Sequence, residues 1–75
     1  MVFEMVFPRE TLRNGFGSYM KTLAPESGLE LIEVSGSATV VEGEWESAMD
    51  FLRRCQEYIF DHGFGPAVTT VHIHS

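Results

Sequence analysis

The chain has 75 residues, a length that allows one hydrophobic core, so we expect a single domain over residues 1–75. Hydrophobic residues make up 44% of it and charged residues 21%, proportions typical of a folded core and not of a disordered chain. The formal net charge of −6 argues against nucleic acids and anionic membranes as partners, because both are bound through clustered Lys and Arg.

The first predicted element is a strand at residues 2–7, where β-branched and aromatic side chains run up to a proline. From Glu10 to Ala24, apolar residues at three- and four-residue spacing predict an amphipathic helix that ends at Pro25. Two glycines weaken the start of this helix, and an alternative start lies as late as Asn14. The apolar stripe consists of Leu12, Phe16, Tyr19, Met20 and Leu23.

Two antiparallel strands are predicted next, at residues 29–34 and 37–42, joined by the short link Ser35-Gly36. A second helix is predicted over about residues 45–61, with His62-Gly63 as its stop signal. The last predicted strand covers residues 67–74. The stripe of the second helix consists of Trp45, Met49, Leu52, Cys55 and Ile59.

This order of elements predicts an α+β, ferredoxin-like βαββαβ fold, with two helices on one face of a four-stranded antiparallel sheet. The other face of the sheet is expected to stay open. In the last strand, alternation assigns two sets of side chains to the two faces. The open face receives Val68, Thr70, His72 and His74, and the helix side receives Thr69, Val71 and Ile73.

The segment TVVEGEW at residues 39–45, the helix after it, and VTTVHI at residues 68–73 resemble the thiamine-binding-protein family. Members of that family carry T-x-x-E-G before the second helix and V-T-T-[IV]-x-I in the last strand. The chain departs from the family at residues 36–38, where Gly-Ser-Ala stands in place of the usual Pro-Met-Gly. The resemblance implies a cytoplasmic dimer or tetramer that binds thiamine or its hydroxymethylpyrimidine part without turnover.

Four residues are candidates for ligand binding. Thiamine is a cation with an aminopyrimidine ring, so its pocket needs carboxylates, hydroxyls and aromatic walls. Thr39, Glu42, Trp45 and Thr70 can supply these groups, with Glu42 as the expected polar anchor. Each has an alternative role: the threonines are ordinary strand residues, the glutamate ends a strand, and the tryptophan can anchor the second helix in the core.

No metal or cofactor is expected. His72 and His74 point the same way on one strand and could share a metal, with His62 as a third ligand, but strand histidines near a terminus are more typically plain polar positions. Cys55 lies in a helical stripe and is expected to be a buried, inert thiol. Because no nucleophile, base and orienting group can be traced together, we expect that the protein is not an enzyme.

A small domain without a disulfide is expected to gain stability from self-association, so a homo-oligomer is predicted. The sequence shows no signal peptide and no membrane span, and the expected location is the cytoplasm. Two other function classes stay open. One is a regulatory or protein-interaction module that works through its sheet, and the other is a small ferredoxin-like enzyme that shelters a substrate between sheet and helices.

Overall fold

The computed structural model describes residues 1–8, 15–35, 38–64 and 68–74. Its strands are β1 (Val2–Val6), β2 (Glu30–Ser35), β3 (Ala38–Glu42) and β4 (Thr70–His74), and its helices are α1 (Phe16–Glu26) and α2 (Trp45–Ile59). The strands form one antiparallel sheet in the order β2-β3-β1-β4. The predicted α+β, ferredoxin-like arrangement is therefore confirmed.

The helix-covered face of the sheet follows from the pairing of β1 with its two neighbours. Phe3 pairs with Val41 of β3, Met5 pairs with Thr39, and all four side chains are fully buried. Successive side chains of a strand point to opposite faces, so the intervening residues form the other face. We call it the open face; it consists of Val2, Glu4, Val6, Glu30, Glu33, Ala38, Val40, Glu42, Thr70, His72 and His74.

Helix α1 ends later than the sequence predicted. It continues through Pro25 to Glu26, whereas the prediction ended it at the proline. Proline is tolerated here because it lies in the last turn, where the helix is about to end. The end itself is a Schellman motif: Gly28 has φ +80°, its N–H donates to Pro25 O (3.0 Å), and the next N–H donates to Ala24 O (2.9 Å).

The buried side of α2 differs from the predicted stripe. Cys55 and Ile59 are buried as expected, but Ala48 and Phe51 complete the buried set, and Trp45 is 49% exposed. Leu52 lies three residues before Cys55 and Phe51 lies four residues before it, so both fit a helical repeat. The prediction placed Leu52 in the buried stripe, whereas Phe51 is the buried residue. The larger Phe51 fills the space between α2 and the sheet, and Leu52 packs at its margin.

The ends of the remaining elements shift by a few residues. Helix α2 stops at Ile59, two residues before its predicted end, and Phe60–Phe64 form a wider turn in which Gly63 has φ +82°, the left-handed conformation expected of a glycine after a helix. Strands β2 and β3 begin one residue later than expected, and β4 begins at Thr70. Residues 10–14, which the prediction of the first helix and its start included, lie outside the described residues, as do residues 36, 37 and 67 of the strand and link predictions. Among the helices described, none is long and apolar enough to cross a bilayer.

Candidate functional site

A groove of about 420 Å³ lies on the outer side of the helix layer, between α1 and the C-terminal half of α2. We call it the helix groove. Its volume falls within the range of small-molecule sites in proteins. The groove is open to solvent, and it is lined by Tyr19, Arg53, Arg54, Glu57, Tyr58, Asp61 and His62.

The floor of the helix groove is a stack of three rings. Tyr19 of α1 lies 4.3 Å from Tyr58 of α2, measured between ring centroids, with the rings 23° from parallel. Tyr58 in turn stacks on His62 at 3.8 Å and 20°. Residues four apart on a helix share a face, which explains the second contact. His62 is held further by its Nδ1, which donates to the carbonyl oxygen of Tyr58 (2.9 Å).

The stack is anchored in the hydrophobic core. Phe16, fully buried in α1, lies 5.4 Å from Tyr58 between ring centroids. Phe16 also meets Phe7, which follows β1, in an edge-to-face contact at 5.1 Å. Because these rings run without interruption from the sheet to the surface, the orientation of Tyr58 is fixed by core packing.

The two arginines of the helix groove are largely engaged by carboxylates of their own helix. Arg53 donates to Asp50 (2.9 Å) and Glu57 (2.8 Å), and Arg54 Nε lies 3.1 Å from the other oxygen of Asp50. The hydrogen bond from Arg53, followed by the nearby charge of Arg54, lowers the pKa of Asp50. The positive charges are therefore balanced within α2.

Asp61 gives the helix groove its surplus negative charge. It is exposed, and the described part of the chain gives it no ion-pair partner within 4 Å. Burial is the main cause that raises the pKa of the Tyr19 phenol, and the neighbouring Cys55 is the second. The Tyr19 hydroxyl is therefore neutral at physiological pH. Flat ring surfaces beside an unpaired carboxylate favour a planar ligand that carries positive charge or N–H donors.

The four ligand-binding residues expected from the sequence lie at separate places. Thr39 is fully buried on the helix side of β3, where its hydroxyl donates to Met20 Sδ (3.4 Å). Glu42 and Thr70 are exposed on the open face. Their strand partners, Val2 and Val6, are four residues apart, which separates them by about 13 Å along the strands. Within one chain, the sheet lies between Thr39 and the other two.

Trp45 begins α2 close to Glu42 in the chain. Its ring lies 6.2 Å from that of Phe3, so one side packs on the core while the rest meets solvent. Gly43 explains the tight link between them: its N–H donates to Met1 O (3.0 Å), and a β-carbon there would overlap the side chain of Leu29. A larger residue in place of this glycine of the T-x-x-E-G segment would therefore force the buried Leu29 side chain to move.

The positions of the histidines and the cysteine bear on the predictions about metal binding and the thiol. His72 and His74 lie on the open face, and His62 lies in the helix groove on the far side of the helices. Among the residues that the structure describes, no group of three or more His, Cys, Asp or Glu side chains is arranged to hold a metal ion. Cys55 is fully buried, which raises the pKa of its thiol to about 12, and the prediction of a buried thiol is confirmed.

The helix groove was missed in the sequence. Tyr19 fits the apolar stripe of α1, which predicts a core residue, and Tyr58 and His62 belong to no predicted motif. Their four-residue spacing near the end of a helix is a signal for stacked rings. The sequence does not show that Tyr19, from another helix, stacks on the same ring.

Comparison with known proteins supports the resemblance seen in the sequence. A family model described as thiamine-binding protein matches residues 18–75, more than three quarters of the chain. The matched range contains all of α2, α1 from its third residue onward, and all strands other than β1. No curated protein and no solved structure matches the chain. The chain therefore belongs to the thiamine-binding protein family.

Proposed function

We propose that the protein binds thiamine or its hydroxymethylpyrimidine part, without turnover, as a cytoplasmic homo-oligomer. The family match over residues 18–75 is the observation that carries this proposal. The buried, protonated Cys55 is consistent with a binding role, since a thiol that stays protonated and inaccessible is a poor nucleophile.

The helix groove is the proposed ligand site. Its stacked rings offer an aromatic surface for the aminopyrimidine or the thiazolium ring, beside several polar groups. Asp61 would accept a charge-assisted hydrogen bond from the exocyclic amine or attract the positive thiazolium. The Tyr19 hydroxyl adds a neutral donor and acceptor at the α1 side of the groove.

Glu42, the anchor that the sequence predicts, is the second candidate. It is an exposed carboxylate three residues before the half-exposed Trp45, at the end of the sheet where α2 begins. Thr70 would join such a site only across a subunit boundary, because it lies at the opposite end of the open face. Thr39 would require an opening of the core to reach a ligand.

Titration calorimetry tests the function. The wild-type protein is titrated with thiamine, with its phosphates and with hydroxymethylpyrimidine, and we expect saturable binding of at least one of them. Absence of binding across the whole series contradicts the proposal. A protein partner found in its place would favour the interaction module, and formation of a product from an added ligand would favour the enzyme.

Two isosteric substitutions decide between the anchors. Asp61→Asn and Glu42→Gln each remove one charge from an exposed side chain and keep its shape. Loss of a hydrogen bond to a charged group costs about 1.5 kcal/mol or more, which is roughly a tenfold weaker affinity. We expect this loss for Asp61→Asn and unchanged affinity for Glu42→Gln. Glu46→Gln, in the first turn of α2, is the matched control.

The reverse result assigns the ligand to the Glu42 end of the sheet and leaves the function intact. Equal affinity in all three variants and the wild type would contradict both anchors. The melting temperature of each variant is measured alongside, so that a loss of affinity can be separated from a loss of folded protein.

A further inference from the structure

The open face carries four apolar side chains on its two central strands and charged or titratable side chains on both edge strands. Val2, Val6, Ala38 and Val40, on the two central strands, are only partly buried in one chain. They alternate with core residues and therefore point away from the helices. Apolar side chains in the middle of a sheet face are typical of a surface that packs against another sheet.

Carboxylates and histidines stand at opposite edges of this face, and two further carboxylates, Glu4 and Glu42, lie on the central strands. Strand β2 carries Glu30 and Glu33 at one edge, and β4 carries His72 and His74 at the other. The strand register aligns them in two rows across the sheet. One row runs from Glu30 through Glu42 and Val2 to His74, and the next runs from Glu33 through Val40 and Glu4 to His72.

We propose that the open face packs against the same face of a second copy of the chain, about a twofold axis parallel to the strands. The inference rests on the homo-oligomer of the proposed function and adds the surface and the symmetry. Such an axis reverses the lateral order of the strands while it keeps each row opposite itself. Strand β4 of one subunit then lies over β2 of the other.

In this arrangement, His74 of one subunit faces Glu30 of its partner, and His72 faces Glu33. A histidine, neutral or charged, donates an N–H to a carboxylate, so the two edges are complementary. Glu4 lies beside His72 across the β1–β4 pair, and Glu42 lies in the terminal row at the border of the face. Between the edges, Val40 of one subunit lies opposite Glu4 of the other, next to His72, and Val6 lies opposite Ala38.

The alternative twofold axis, across the strands, gives a poorer fit. It lays each strand over its own copy, so β4 lies on β4, and like side chains meet along both edges. Identical charges that face each other weaken an interface. The division of carboxylates and histidines between opposite edges therefore selects the axis parallel to the strands, and it selects a second copy as the partner.

Sedimentation equilibrium on two variants tests the surface. Val40→Glu places a carboxylate at the centre of the open face, and Phe60→Glu places one at a 63% exposed apolar residue after α2. Neither side chain belongs to the buried core. We expect the wild type and Phe60→Glu to share one oligomeric mass, and the subunit dissociation constant of Val40→Glu to rise at least tenfold.

A charge exchange tests the symmetry. His72→Glu alone brings a carboxylate opposite Glu33 of the partner and should weaken association. Combining it with Glu33→Lys should restore association, because an attractive pair is formed again. Both positions lie on edge strands and outside the core, so the fold should tolerate them.

Each outcome bears on a different statement. A wild type that sediments as one subunit at micromolar concentration overturns both the homo-oligomer and the open-face contact. An oligomer that Val40→Glu does not weaken, or that Phe60→Glu weakens equally, overturns the open-face contact and leaves the homo-oligomer standing. Failure of the charge exchange to restore association overturns the axis. Ligand binding is measured separately and is untouched by these results.

Discussion

Cys55 offers a direct test of core packing at a single residue. Its thiol is fully buried between α2 and the sheet, and burial raises its pKa to about 12. Only the thiolate reacts quickly with disulfide reagents, so low accessibility and protonation act together. We expect labelling of the native protein at neutral pH to be slow, and labelling in denaturant to be fast. A colorimetric thiol reagent measures both rates.

Labelling of the native protein at a rate close to that in denaturant would contradict the position of α2 on the sheet. A variant that loosens the core gives the matched control. Phe51 lies four residues before Cys55 on the buried side of α2. Phe51→Ala removes its fully buried ring and should lower the free energy of unfolding by about 3–5 kcal/mol. The core should then open more often, and Cys55 should be labelled faster.

Single residues also show where sequence patterns lose information. The burial of Cys55 could be predicted, because its type and its place in a stripe indicate the same environment. The choice between Phe51 and Leu52 could not, since both apolar residues fit a helical repeat. Only the packing of α2 on the sheet decides which side chain is buried, and it leaves Trp45 half exposed at the helix start.

One glycine within α1 and one just after its end have opposite effects on stability, and alanine substitution should show the difference. Gly28 ends the helix at φ +80°, a conformation that costs an L-residue about 1–2 kcal/mol. Gly17 lies within the helix with no atom near a β-carbon, so alanine should stabilise by about 0.5–1 kcal/mol. We expect Gly28→Ala to lower the free energy of unfolding and Gly17→Ala to raise it.

Chemical denaturation at a fixed protein concentration measures both changes, because stability depends on concentration in an oligomer. Changes of the same sign in the two variants would contradict the helix boundaries of α1.

The order of elements could be predicted because each one has a local signature. Strand residues are β-branched, the helices repeat every three or four residues, and Gly63 marks a helix end. The end of α1 could not be placed correctly from Pro25. Its actual end depends on backbone hydrogen bonds around Gly28, and a proline in the last turn does not prevent them.

At the scale of the whole molecule, the two proposed surfaces lie on opposite sides. The helix groove is formed where Tyr19 of α1 meets Tyr58 of α2, on the outer side of the helices. The open face lies on the other side of the sheet. Contacts between two helices depend on how they pack in three dimensions, which explains why the groove could not be predicted from the sequence.

This separation predicts that assembly and ligand binding are independent. Val40→Glu should dissociate the subunits and leave ligand affinity within about twofold, since the helix groove is complete within one chain. Asp61→Asn should do the opposite, with weaker binding and an unchanged sedimentation mass. Distant sites without shared partners behave additively, so the double variant should show both losses in full. If Val40→Glu weakens binding as much as it weakens association, the ligand lies at the open face, and Glu42 becomes its anchor.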